Sequence, residues 1–485
     1  MQKEDILNTN LTNSISIPEE DQEEVINSLQ TLGHTLATGE NPLVMGAETF
    51  TLSNQTIALI AMGICYIFLF TEKLNRAVIT ILLATTLIML GTISYPQALI
   101  AIDFNTLSLL IGMMIIINIA ERSGMFQYIA IWGAKKVKAN PVGIMIVLGT
   151  VTAIFSAFLD NVTTVLLIVP VSLQITRKLE VNPYPYLLIN IFASNIGGTA
   201  TLIGDPPNIL IGSALNLRFT DFLFHLTPVV TIIMAGLIAL FVHFWGPTMQ
   251  ATPENRKLVM SINEKDAITD FKLLYKSLGV LLTVMTGFVF AEQIGMENGF
   301  IALFGAAIML LLYTFKQPRT ISEDKVENVL NHVDWTTIFF FMGLFVIVGA
   351  LETSGFLTKV GQYILELTEG SRQRSTFAIL SISAVFSAMV DNIPFVATMI
   401  PTLKSMEEGL GGREAMMPVW WALSLGACLG GNGTLIGASA NVIVAGIAAR
   451  EGRAISFVRF MIWSIPVMVM SILIAALFLY IEYFI

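Results

Sequence analysis

Two dipeptides place a charge where an apolar chain has little means of solvating one. Asp160-Asn161 interrupts the apolar stretch 141–175, and Asp391-Asn392 interrupts the apolar stretch 375–404. An ionised Asp at the centre of a spanning helix costs roughly 2.5–3.5 kcal/mol on insertion scales. It persists by pairing, by binding a cation or by taking up a proton. Asp at both matching positions points to a proton- or Na⁺-binding site. The plainer reading is that each Asp caps the half-helix after it, since Asp and Asn are good N-caps. The two roles are compatible.

Two further interruptions carry the same kind of chemistry. Asn195-Ile196-Gly197-Gly198-Thr199-Ala200-Thr201 runs on to Gly204-Asp205-Pro206-Pro207-Asn208. Its partner is Gly430-Gly431-Asn432-Gly433-Thr434, with Gly437 and Asn441 beyond. Glycine pairs and Pro-Pro unwind a helix, because Gly admits conformations other residues avoid and Pro lacks an N–H. Freed carbonyls and helix C-termini then suit Na⁺, while N-terminal ends favour an anion. Asn and Thr side chains add neutral oxygens. Asp205 either completes such a site or only steadies the Pro-Pro break. Glu121 and Glu352 close apolar segments at interface depth, where a solvated end is the usual case.

The elements that position these residues follow from composition. The chain is 55% hydrophobic and 13% charged, against about a quarter charged in soluble domains. Apolar runs long enough for a ~30 Å hydrocarbon core recur along it. Spans are expected near 55–70, 76–91, 104–120, 183–217, 222–246, 275–291, 299–315, 336–351, 415–449 and 460–484. Neither half of the two Asp-Asn stretches makes a comfortable span. Each therefore reads as a re-entrant hairpin, which lipid tolerates only if the tip is buried in protein or faces water. The fold class is an all-α polytopic membrane protein, about ten spans plus two hairpins. Putting both termini outside places most of the 26 Lys and Arg residues, including Lys135-Lys136-Val137-Lys138, on the cytoplasmic side, as the positive-inside rule asks. The expected location is the plasma (inner) membrane, with the lipid bilayer as partner.

The chain also repeats itself. Asp103, Gly112, Glu121 and Gly124 answer Asp334, Gly343, Glu352 and Gly355. Phe155-Ser156-Ala157 before the first Asp-Asn answers Phe386-Ser387-Ala388 before the second, and Thr201-Leu202-Ile203-Gly204 with Asn208 answers Thr434-Leu435-Ile436-Gly437 with Asn441. Order and spacing are kept throughout, which marks a duplication. The expected division is a polar acidic tail at 1–50, a first repeat at 51–246, a cytoplasmic linker at 247–274 and a second repeat at 275–485. The hairpins start from opposite sides, so the repeats are inverted, each with an unwound helix. Such repeats build alternating-access transporters with a site near the midplane.

These motifs resemble the ion transporter superfamily, of the ArsB/NhaD permease type. The likeness covers residues 50–485 and is strongest to the melanosomal P-protein branch. It rests on Leu159-Asp160-Asn161-Val162-Thr163-Thr164, Asn195-Ile196-Gly197-Gly198, Ile203-Gly204-Asp205-Pro206-Pro207-Asn208, Asp391-Asn392-Ile393-Pro394-Phe395 and the run Gly426–Asn441. The resemblance implies two symmetric ion sites with substrate between them, a homodimer and an elevator-like movement of the transport domain. It assigns Asp160, Asn161, Thr163, Gly197, Gly198 and Thr201 to one half-site. Asp391, Asn392, Gly430, Gly431, Asn432 and Thr434 form the other, with Asn208 and Asn441 supporting the loops. The dicarboxylate branch carries tips resembling Ser-Asn-Thr. Here Asp stands in the Ser position of both tips and Pro394 in a Thr position, which disfavours a carboxylate substrate unless it is protonated.

The expected function is secondary active ion transport, most simply Na⁺/H⁺ antiport, with Na⁺ and/or H⁺ as the transported or coupling ion and no cofactor. The alternative is an anion or metalloid permease coupled to Na⁺ or H⁺. An intramembrane aspartyl protease with a shared-proton carboxylate pair has no use for paired Gly-rich breaks. There is no basic, aromatic-interleaved patch for nucleic acid, and Cys65 and Cys428 read as buried free thiols.

Overall fold

The computed structural model describes residues 52–71 and 73–485. The acidic tail expected at 1–50 lies outside the described residues. The first repeat comprises α1 (Asn54–Thr71), α2 (Arg76–Met89), α3 (Tyr95–Ala101), α4 (Phe104–Glu121), α5 (Met125–Lys136), α6 (Pro141–Phe158), α7 (Asn161–Leu179), α8 (Tyr184–Gly198), α9 (Pro206–Leu215) and α10 (Phe219–Trp245). After a connecting helix, α11 (Pro253–Met260), the same order returns: α12 (Phe271–Val289), α13 (Asn298–Thr314), α14 (Arg319–Asn331), α15 (Trp335–Thr353), α16 (Phe356–Leu367), α17 (Arg372–Met389), α18 (Asn392–Lys404), α19 (Arg413–Gly430), α20 (Ser439–Arg450) and α21 (Phe457–Phe484).

Matching caps start the matching helices. Asp103 caps α4 and Asp334 caps α15, each accepting the backbone N–H and the hydroxyl proton of the Thr three residues on. Gly124 and Gly355 precede α5 and α16 with φ of 80° and 73°, a left-handed turn that favours glycine. Both Asp-Asn stretches are hairpins. Arg256 and Asn255 on α11 donate to the carbonyls of Lys138 and Leu179, so the two feet of the α6–α7 pair rest on one side. The α17–α18 pair stands on α16: Gly361 packs against Thr402 and Ser405, and Thr368 bonds Ser375 at 2.8 Å. Arg122, at the end of α4, holds Asn328 at 2.6 Å. The span α15 therefore leaves the side where the first hairpin stands and carries the chain to the opposite side. The repeats are inverted.

One expectation needs correction. The arms of the first hairpin are not half-helices: α6 has 18 residues and α7 has 19, and both count among the eight described helices long and apolar enough to cross a membrane. α6 fills the apolar stretch from its Asn140 cap to the tip, and α7 runs on past it through Thr176-Arg177-Lys178. Only α18, with 13 residues, has the shorter length expected.

The repeats are interlocked rather than side by side. Gly112 on α4 lies against the backbone of Ala302 on α13, where an added Cβ would come within 2.5 Å of the carbonyl carbon. Gly343 on α15 meets Thr80 on α2 at the same 2.5 Å. Small residues let helices approach closely in lipid, where van der Waals contact replaces the hydrophobic drive. Gly343→Ala should destabilise the purified protein by about 1–3 kcal/mol through overpacking. Gly63→Ala, with nothing within 4 Å of the new Cβ, should not. Thermal unfolding in detergent separates the two, and equal melting would mean that α15 and α2 are not in direct contact.

Candidate functional site

Each broken span is folded back on its own hairpin. In the first repeat, Thr201 donates its hydroxyl to the Ala157 carbonyl and Ser156 donates to Ser194 O at 2.6 Å. In the second, Thr434 donates to Ala388 O and Ser387 to Ala427 O, both at 2.5 Å. Gly197 lies against the Ala153 backbone and Gly430 against that of Ala384. Gly198 closes on Gly204 and Gly431 on Gly437, so each unwound loop is a tight turn with no space for a side chain. Asn208 donates to the carbonyls of Thr199 (3.0 Å) and Thr201 (2.9 Å); Asn441 donates to those of Gly431 (2.8 Å) and Thr434 (2.9 Å).

Across the internal two-fold, buried amides stitch the halves together. Asn195 accepts from Asn161 at 3.3 Å and donates to Asn432 (3.0 Å) and Asn441 (2.9 Å). Asn392 donates to Asp205 Oδ1 at 3.3 Å. Among the described residues, two polar atoms in this cluster have no hydrogen-bond partner of normal geometry, Asp205 Oδ2 and Asn432 Nδ2. Asp205 is 1% exposed. It precedes α9 without capping it, and the Cys428 thiol beside it, 3.6 Å from Asn208 Oδ1, is at most a weak donor to its carboxyl. A buried carboxylate oxygen with no strong donor is costly, which makes it an atom with spare capacity for a cation or a proton.

The two tips differ although their sequences match. Asp160 is fully engaged as a cap: Oδ1 accepts Thr163 N–H at 2.8 Å and Oδ2 the Thr163 hydroxyl at 2.5 Å. Pro394 removes the equivalent donors from the second tip. Asp391 accepts only Ile393 N–H on Oδ1, at 3.2 Å, and its Oδ2 faces the Arg76 guanidinium at 3.6 Å.

Both tips, Asp205, Asn161 and Asn392 line one cavity of about 580 Å³. It opens past Glu121, His332 and Asp334 on the side of the first hairpin's feet, and among the described residues Arg76 is its one Arg or Lys beside five carboxylates. Arg76 was invisible as a site residue in the sequence; Asn195 opens one of the recognised breaks, but nothing in the sequence marked it as the link between the halves. Arg76 looks like a loop charge, and Asn195 lacks a matching Asn because Cys428 takes its place in the second repeat. A second cavity, about 520 Å³, lies on the opposite side. Asp103, Phe345, Val348, Glu352 and Ala397 line it. These are the repeat mates of Asp334, Met114, Ile117, Glu121 and Leu166 in the first cavity. Neither Asp160 nor Asp391 is in its lining.

Asn441→Ala should lower the melting point by removing the side-chain donor to the Gly431 and Thr434 carbonyls and one of the two acceptors of the Asn195 amide, at about 1–3 kcal/mol for a buried group left unsatisfied. An unchanged melting curve would mean that the loop holds its shape without that side chain.

Comparison with known proteins agrees with this architecture. The family profile CitMHS, citrate transporter, matches residues 66–426. An uncharacterized transporter of Mycobacterium tuberculosis is 38% identical over 433 residues, covering 88% of this chain and 99% of that one. The P protein of Mus musculus is 33% identical over 458 residues, covering 79% of this chain; the match spans about half of that protein's length, 54%. The YdaH transporter of Alcanivorax borkumensis, described as having an unusual topology, aligns with a TM-score of 0.54 over 78% of this chain and 86% of its own. At 13% identity that likeness speaks for the fold alone. With its inverted hairpins, paired broken spans and these relatives, the chain belongs to the CitMHS citrate transporter family of the ion transporter superfamily and is a polytopic membrane transporter.

Proposed function

We propose that this protein is a cation-linked secondary transporter, most simply a Na⁺/H⁺ antiporter, whose ion site lies between Asp205 and the Asp391-Asn392 tip. The observation that carries the reading is the unpaired Oδ2 of Asp205, buried beside a cavity lined by both tips. Asn161 and Asn392 line the same cavity, and the carbonyls of the unwound loops, each with a second lone pair, add hard oxygens of the kind Na⁺ favours. Thr163, Thr201 and Thr434 spend their hydroxyl protons on the protein. In this reading they and Asn208, Gly197, Gly198, Gly430, Gly431 and Asn441 shape the site.

The paired cavities support an alternating-access reading: the one that reaches the tips is open, and its mate on the other side stops short. We read exchange between them as an elevator-like movement within a homodimer of the plasma (inner) membrane, with the Lys- and Arg-rich side cytoplasmic and both termini outside. The charge balance weighs against an unaccompanied carboxylate anion. Like unit charges about 4 Å apart repel by about 4 kcal/mol at an effective dielectric of about 20, and the cavity holds five carboxylates.

A second reading keeps an anion or metalloid oxyanion as substrate, with the cation only coupling. It is favoured by Arg76 in the cavity wall and by the family's description as citrate transporters. Proteoliposomes with an internal pH dye, challenged with Na⁺, Li⁺, K⁺ and then citrate and arsenite, distinguish the two. The antiport reading expects a Na⁺- or Li⁺-dependent pH change in the parent protein that falls at least about tenfold in Asp205→Asn. A signal that appears only when an anion is added would replace antiport with anion permeation.

A further inference from the structure

The internal two-fold gives Arg76 a mate, and the mate is uncharged. Gly112 meets Ala302 as Gly343 meets Thr80, so α13 and α2 correspond, with Ala302 answering Thr80. Four residues earlier, Asn298 answers Arg76. Among the described residues, Asn298 Oδ1 is buried without a partner, whereas Arg76 is surrounded by groups that hold it. Its Nη2 donates to Thr337 Oγ1 at 2.6 Å, its Nη1 to Ser439 Oγ at 3.4 Å, and its guanidinium lies over the Phe340 ring at 5.3 Å. From that perch it faces Asp391 at 3.6 Å and Asp334 at 3.7 Å. The guanidinium is thus anchored through one edge by neutral hydroxyls while its charge is shared between two carboxylates.

Resting on the cation-linked reading above, we propose that Arg76 is a tethered cation that occupies Asp391 in competition with the transported one, and so sets the cation affinity of the carrier. Asp391 needs such a partner because Pro394 denies it the cap that Asp160 receives from Thr163. Arg76 stands on α2, which packs on α15, whereas Asp391 and Ser439 belong to the second hairpin and the second broken span. The pair therefore crosses from one structural group to the other. A cation arriving at Asp391 releases that link, which ties occupancy of the site to freedom of the hairpin. The absence of a matching charge at Asn298 means that the device works on one side only.

The test is the Na⁺ dependence of proton movement in proteoliposomes for the parent, Arg76→Gln, Arg76→Met and Arg76→Lys, each first checked for a monodisperse, cooperatively melting protein. Both neutral variants should lower the half-saturating Na⁺ concentration about tenfold, with maximal rate held within about twofold. Arg76→Lys, which keeps the charge but not the two-point hold, should lower that concentration by a smaller factor. An Asp334→Asn background should retain the shift. Should neither neutral variant fold, Arg76→Lys carries the test, because a lysine cannot hold Thr337 and Asp391 in one plane and should shift half-saturation in the same direction by a smaller factor. Half-saturation equal to the parent's in folded neutral variants, or in Arg76→Lys if it alone folds, overturns the proposal while leaving cation transport standing. A parent protein that moves protons with no cation overturns the underlying reading instead.

Discussion

Polar backbone carried into hydrocarbon has to be satisfied by the protein itself, and in this chain four breaks must be satisfied at the same depth. The two hairpin tips and the two unwound loops do this for one another. Thr201 and Thr434 tie each loop to its own hairpin, Asn208 and Asn441 close the loops from behind, and Asn195 links the halves. Once those bonds are made, almost every donor and acceptor near the midplane is spoken for. What remains unpaired is correspondingly informative, and it includes a carboxylate oxygen, on Asp205.

Inverted duplication supplies geometry twice but does not require identical chemistry at both copies. The caps at Asp103 and Asp334, the left-handed turns at Gly124 and Gly355, and the glycine contacts at Gly112 and Gly343 are all kept in register. The site is where the copies diverge: Asp205 answers Ala438, Asn195 answers Cys428, and Arg76 answers Asn298. Scaffold positions remain paired because each helix pair must pack in both halves. Positions around the tips are free to differ because both tips face one cavity.

Much of the architecture was legible in the residues. Hydropathy located the spans, and the repeated Asp-Asn and Gly-Gly breaks identified the elements that meet at the centre. Three things were not legible, each for a physical reason. Helix length in the first hairpin was underestimated because α7 continues through polar residues that no apolar window includes. The inequivalence of Asp160 and Asp391 was written in Pro394, yet its consequence appears only when the cap distances are measured. Arg76 sits beside a loop in sequence and looks solvated; only the packing of α2 on α15 brings it to the tip of a hairpin more than three hundred residues away.

The central claim is that Asp205, left unpaired where the two halves meet, is a cation ligand. Equilibrium binding of radioactive sodium to the purified protein tests it without assuming any direction of transport. The account predicts saturable binding to the parent protein, competed by protons, and its loss in a folded Asp205→Asn variant. Equal binding by parent and variant would contradict it, as would a parent protein that binds no sodium.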